Sequence, residues 1–451
     1  MMIRKAIALA VTAAAALAAG AAAAASGQRL TFTDTTLDNG LRVIIHEDRT
    51  APVYSIAVTY NAGSRDERVG RTGFAHLFEH MMFKGSENVG PGEHFLLVFN
   101  NGGSMNGTTN KDRTLYYETL PSNQLDLGLF LEADRMRSLE ITKENLDNQR
   151  NAVQEERRLG VDNQPYGRTF EAFDELAWDG FAYKHSVIGS MADLSAASVE
   201  DVASFFKTYY APNNAVLAIS GDVNTAETLA KVRKYFEGIP SQPAPAPVAV
   251  DEKPQTAERR LVIEDPLARL PRFDIGYKIP AMGSKDDEAL SVLSTVLASG
   301  RSSRLYESIV RQKQLSTGVG AGPNQERGVG MFRFSGTLQP GKSMADLEAA
   351  IAEEIEKVKK GPIAGWEIEK ARNAAKRSLV GTLTSSLSRA ITLAQDALFF
   401  NEPGRINSRP ERIAAVTAAD VQRVAAQYLV PERRTVVITN PKPATAKGGV
   451  E

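Results

Sequence analysis

The string His76-Leu77-Phe78-Glu79-His80, inside the apolar run from Gly73 to Phe83, constrains this chain more than any other stretch. Two histidines four residues apart share a face only if the run is helical, because one turn of helix then stacks them. Such a helix offers two imidazole nitrogens to a single metal ion, with the Glu79 carboxylate beside the metal but not bound to it. That is where a general base must sit to take a proton from a water that zinc activates. The pattern arises by chance in some long chains, and a lone helical histidine is more often capped or solvated than a ligand. Here only five histidines occur in 451 residues, and two of them fall at ligand spacing in an apolar run. The motif therefore predicts a zinc hydrolase site, with His76 and His80 as ligands and Glu79 as base.

A catalytic zinc takes three protein ligands and keeps a further position open. Candidates for the third are the paired carboxylates Glu155 and Glu156, in the helical-looking stretch from Asn148 to Arg158. Neighbouring helix residues point about 100° apart, so only one of the two can easily face the metal. With this stretch the sequence resembles the pitrilysin-like (inverzincin) zinc metallopeptidases, which include mitochondrial processing peptidase and insulin-degrading enzyme. It is most similar to the bacterial two-domain members related to the processing peptidase. The family's ligand spacing falls on Glu156, which the resemblance implies as third ligand, with Glu155 left in solvent. The resemblance continues from Gly102 to Tyr117, which is similar to the family's G-x-x-N-A-x-T and D-x-T-x-Y-Y. Read alone, this is a Gly/Asn-rich turn leading into a Thr/Tyr-rich strand. In the family it is a sheet-edge strand that hydrogen-bonds the substrate backbone, implying peptide contacts at Asn106, Gly107 and Thr108. Gly107 replaces the family's usual Ala, which is expected to loosen the strand slightly. Gln149, two helical turns before Glu156, replaces a Glu found in many relatives; its neutral amide can still support a ligand by hydrogen bonding.

Length and charge bound the rest. A chain of 451 residues that is 43% apolar can bury at least two cores. With 53 basic and 54 acidic residues there is no electrostatic case for nucleic acid. The absence of cysteine excludes disulfides, thiolate ligands and thiol nucleophiles. Residues 1–26, with Arg4-Lys5 ahead of an Ala-rich core, read as a bacterial signal peptide, which predicts a periplasmic protein with no membrane span after cleavage.

Strand and helix patterns alternate over residues 27–238, with Val53–Tyr60 reading as a half-buried strand. Residues 239–258 open as a Pro/Ala-rich linker, and the pattern restarts over 259–445. The same order of strand, helices and closing strand in both halves indicates an internal duplication in which only the first half keeps zinc chemistry. The expected fold is α+β: two homologous α/β sandwich domains, each a mixed or antiparallel sheet packed by helices. The resemblance adds a chamber between them. It also implies an Arg and a Tyr in the second half that hold the substrate carbonyl and its oxyanion. Arg311 matches the Arg, but Ser316-Thr317 stands where the Tyr is expected, and Thr is too short to reach across a chamber. This suggests a heterodimer in which a homologous subunit supplies the Arg/Tyr pair; the alternative is a displaced motif within the Gly-rich stretch to Gly322, which leaves a homodimer open. The expected activity is zinc-dependent endoproteolysis of short or unfolded peptides. A non-catalytic chaperone or scaffold with structural zinc is the alternative, and Glu79 argues against it, since a structural site has no use for an unligated base. His46 and His94 are expected at the surface, and His185 is given no chemistry.

Overall fold

The computed structural model describes residues 29–442. The leader read over residues 1–26 lies outside the described residues. The first half builds a six-stranded sheet from β1 (Thr33–Thr36), β2 (Arg42–Glu47), β3 (Val53–Tyr60), β4 (Ser104–Thr109), β5 (Thr114–Pro121) and β6 (Ala215–Gly221), in the order β1-β2-β6-β3-β5-β4. Only β2 and β6 run parallel; all other pairs are antiparallel. The second half builds β7 (Arg259–Asp265), β8 (Arg272–Ile279), β9 (Ser316–Gln325), β10 (Gly330–Leu338) and β11 (Arg434–Pro441) into the order β7-β11-β8-β10-β9, again with one parallel pair, β7 and β11. Strand for strand, β7, β11, β8, β10 and β9 repeat β2, β6, β3, β5 and β4. The duplication is thus explicit in topology, and β4 and β9 are equivalent edges.

Seven helices frame the site and the packing between the halves: α1 (Phe74–Met81), α2 (Glu93–Asn100), α3 (Leu125–Arg137), α4 (Lys143–Arg157), α5 (Gly167–Ala177), α6 (Asp287–Ala298) and α7 (Ser386–Phe400). Each half covers one sheet face with its own helices. The other face is covered by a helix from the opposite half. Leu393, Ala390 and Ala394 of α7 bury Ile44, Ala57 and Ala218 of the first sheet, and Phe173 and Ala177 of α5 bury Met331 and Val437 of the second. Leu393 is fully buried there, which is worth about 2–3 kcal/mol. β3 is consequently buried along its length apart from Val53, not half-buried as its alternation suggested. The segment after Ile239 is extended as expected, but it is docked. Val248 and Val250 pack on the α5 cluster, and Glu252 accepts the Gly180 N–H at 2.9 Å. In the second half, Tyr306–Gln312 is wound as a wider π-helical turn.

Asp112 ties the halves together at the β4–β5 turn. Its carboxylate accepts Tyr183 Oη (2.6 Å) and the Arg327 N–H of the β9–β10 turn (2.8 Å), and it pairs with Arg65 at 3.2 Å. This fixes the edge hairpin of the first sheet against its counterpart in the second.

Two expectations about histidine fail. His46 is buried, with Nδ1 2.7 Å from the Thr31 carbonyl, because residues before β1 fold back over the strand. His94 on α2 is buried too, 3.4 Å from Glu118, beside the pair formed by Glu132 and Arg135, whose guanidinium stacks 4.5 Å from the Tyr116 ring centroid. His94, Glu118 and Glu132 cluster closely enough to suggest a metal site, but Arg135 already supplies the cation that Glu132 needs. Burial pushes the Glu118 carboxyl up to about 8 and His94 down to about 3, so a neutral carboxyl faces a neutral imidazole at pH 7. A folded-state value above the ordinary one contributes stability that is complete below about pH 4.5 and lost as pH rises to about 8. Glu118→Gln mimics the neutral acid and removes that loss. Thermal melts should show the variant gaining on the wild type by a few degrees between pH 5 and pH 8; a difference flat in pH would refute the assignment.

Candidate metal centre

α1 begins at Gly73, whose φ of 85° is left-handed, and a Cβ there would meet the Ile188 carbonyl at 2.6 Å. Glycine has no capping side chain, and Glu67 supplies the cap from outside the helix. Its buried carboxylate accepts the Gly73 and Ala75 N–H groups at 2.9 and 2.8 Å. Burial pushes this carboxyl up, and the two donors pull it back toward the ionised form. Leu77, Phe78 and Met81 are buried, with Phe78 against the rings of Phe205, Phe206 and Tyr210. This fixes the helix rotation so that His76 and His80 turn to the open side.

α4 is started by Thr142, whose hydroxyl accepts the Asn145 N–H. It buries Leu146, Gln149 and Val153 at helical spacing, and Glu156 follows on that face one turn beyond Val153. Glu156 Oε2 lies 3.4 Å from His80 Nε2 and 3.7 Å from His76 Nε2. Glu155 turns away to pair with Arg158 at 3.0 Å. Two atoms each about 2.0–2.1 Å from a tetrahedral ion sit about 3.3–3.4 Å apart, so this spacing fits one zinc. Protonation fits as well. Burial, reinforced by His80, lowers His76 to about 4, which keeps it neutral, and the His80 hydrogen bond lowers Glu156, which keeps it anionic. His76 Nδ1 is buried without a hydrogen-bond partner.

Glu79 is buried on the inner side of this cluster, accepting a 2.5 Å hydrogen bond from Thr109 Oγ1. Burial raises its carboxyl and the Thr109 bond opposes that rise. The facing strand is β4, the free edge of the sheet. The Asn110 N–H donates to Arg113 O across the turn at 3.0 Å, and antiparallel alternation then directs the N–H and C=O of Met105, Gly107 and Thr109 outward.

The other residues singled out in the sequence are distributed unevenly. Asn106 is exposed on this strand, its Oδ1 accepting the Gly107 N–H at 2.8 Å, so an incoming peptide carbonyl competes with it. Thr108 is held by Arg113, which donates to its carbonyl and hydroxyl, each at 2.5 Å. Gln149 is buried, but its amide donates to Asn148 rather than to the His/Glu cluster. Arg311 is 71% exposed and pairs with Glu307; its described contacts do not bring it to the cluster. Thr317 donates to the Thr337 carbonyl of the neighbouring strand β10. Glu67, Thr109 and Arg113 escaped the sequence reading. The signal for Glu67 was an acidic residue shortly before a glycine-started helix with no capping side chain of its own. Thr109 is the closing threonine of the G-x-x-N-A-x-T pattern, but nothing in the sequence tied its hydroxyl to Glu79.

Both halves of the chain are similar to known proteins. Residues 42–190 match the family model described as insulinase (peptidase family M16), and residues 196–375 match the peptidase M16 inactive domain. A zinc protease, PqqE, of Helicobacter pylori is 31% identical over 90% of this chain and 92% of its own length. A probable mitochondrial-processing peptidase subunit beta of Arabidopsis thaliana is 25% identical over 88% of this chain and 76% of its own. The crystal structure of a protease from Helicobacter pylori superposes with a TM-score of 0.87 at 31% identity, covering 91% of this chain and all of the other.

Proposed function

The chain belongs to the M16 family of peptidases, a family with zinc proteases among its members, and on that premise we propose that it is a zinc-dependent endopeptidase acting on short or unfolded peptides. The observation that carries the proposal is the convergence of His76, His80 and Glu156 at ligand spacing, with Glu79 buried beside them and a free strand edge alongside. His76, His80 and Glu156 would hold one zinc ion, which when bound supplies Lewis-acid activation of water and of the scissile carbonyl. Glu79 accepts the proton of the attacking water and returns it to the departing amine. The outward backbone of β4 pairs with the peptide main chain, and Asn106, Gly107 and Thr108 sit where that peptide would lie. Pairing through main chain favours an extended segment over a folded one.

Residues 27–238 would form the zinc-bearing domain and 259–445 its inactive homologue, a division that the two repeated sheets support. The exposed Arg311 pairs with Glu307 and the short Thr317 bonds the Thr337 carbonyl, so neither is aimed at the cluster. A homologous subunit bearing the Arg/Tyr pair, in a heterodimer, would supply the oxyanion donors. Among the described residues no helix is long and apolar enough to cross a membrane. The Ala-rich leader supports a periplasmic location. The test is hydrolysis of a quenched, unstructured peptide library by the zinc-loaded mature chain. Cleavage abolished by a chelator and restored by zinc is expected. No cleavage by zinc-replete protein, alone or mixed with its Arg/Tyr-bearing homologue, would overturn the proposal.

A further inference from the structure

On an antiparallel strand, the residues whose backbone groups face a free edge all send their side chains to one face of the sheet. On β4 these residues are Met105, Gly107 and Thr109, and the face they share is the one against α1. Two of the three touch Glu79. Thr109 Oγ1 donates to Glu79 Oε2 at 2.5 Å, and a Cβ at Gly107 would lie 2.9 Å from Oε1 and 3.0 Å from Cγ. The Thr109 hydroxyl is itself aimed. Its neighbour Thr114 Oγ1, 3.3 Å away, donates to the Ala62 carbonyl at 2.9 Å, which leaves Thr109 free to donate to the carboxylate. Arg113 anchors the same strand through Thr108.

We propose that Thr109 is a positioning residue for Glu79: its hydroxyl holds one carboxylate oxygen, so the strand that pairs with the peptide also aims the base. This inference rests on the peptidase reading and adds a coupling to it. The residues that would bind peptide by their outward backbone hold Glu79 by their inward side, so a peptide seated on the edge and the base that attacks it share one rigid reference. Small errors in such alignment are expensive, on the order of a hundredfold in rate for a displacement near 1 Å.

The experiment compares Thr109→Val and Thr109→Ser with the wild type in two readouts. The first is steady-state peptide hydrolysis at equal zinc content. Thr109→Val should lower kcat about tenfold or more with KM unchanged, and Thr109→Ser should recover to within about threefold. The second needs no activity and no metal. In protein labelled with ¹³C-carboxyl glutamate, the resonance lost in Glu79→Gln should move in Thr109→Val and hold its place in Thr109→Ser. An unchanged kcat or an unmoved resonance in Thr109→Val overturns the assignment, and so does a Ser variant as impaired as the Val variant. If the wild type cleaves nothing, the peptidase reading fails on its own. The resonance alone then decides whether Thr109 holds Glu79.

Discussion

Glu79→Gln is expected to lower kcat about 10²–10⁴-fold while zinc content stays at the wild-type level. The amide has the shape of the carboxylate and can still accept the Thr109 hydrogen bond through its oxygen, so the packing around the buried side chain survives. It cannot accept a proton. Glu79 is also absent from the set of atoms that converge at ligand spacing, which is His76, His80 and Glu156. Metal content and turnover should therefore separate in this variant, with KM little changed because the β4 edge is untouched. Metal analysis alongside initial rates on an unstructured peptide reads both. Turnover retained in a zinc-loaded Gln variant would remove Glu79 from the role of base.

What was legible in the sequence is what local spacing encodes. The pattern His76, Glu79, His80 has meaning only on a helix, and α1 is one; the pair Glu155 and Glu156 limits the choice because adjacent helix residues diverge. The repeat of the two halves was visible as an order of elements, and it reappears as matching strand orders around β6 and β11. What was illegible depends on residues far apart in the chain. β3 alternates like a strand with one wet face, yet α7, more than three hundred residues later, dries that face through Leu393 and its neighbours. His46 and His94 were misjudged for the same reason. A polar residue next to a strand end or in a short helix looks solvated until the segment that covers it is known. Thr109 belongs to this class as well, since a threonine in a strand is ordinary and only the packing of α1 against β4 gives its hydroxyl a carboxylate to hold.

The two neighbouring carboxylates of α4 provide the sharpest contrast for the metal site. Glu156→Ala should weaken zinc binding by more than about 100-fold and abolish hydrolysis at limiting zinc, whereas Glu155→Ala should leave both near wild type. The asymmetry follows from where each oxygen points. Glu156 Oε2 lies 3.4 and 3.7 Å from the two imidazole nitrogens, while Glu155 is spent on Arg158 at the helix surface. An exposed pair of that kind is worth under about 1 kcal/mol, so its loss leaves the fold almost unchanged. Glu156 also carries the only negative charge in the donor set. His76 is held neutral, so without Glu156 a divalent ion would face imidazole nitrogens with no anion to offset its charge. Competition with a chromophoric chelator measures affinity in all three proteins. Equal losses in the two variants would mean that the helix end, rather than one carboxylate, is what the metal requires. A Glu155→Ala variant that lost zinc while Glu156→Ala kept it would exchange the two assignments and require α4 to turn by about 100° from its present packing on Val153 and Leu146.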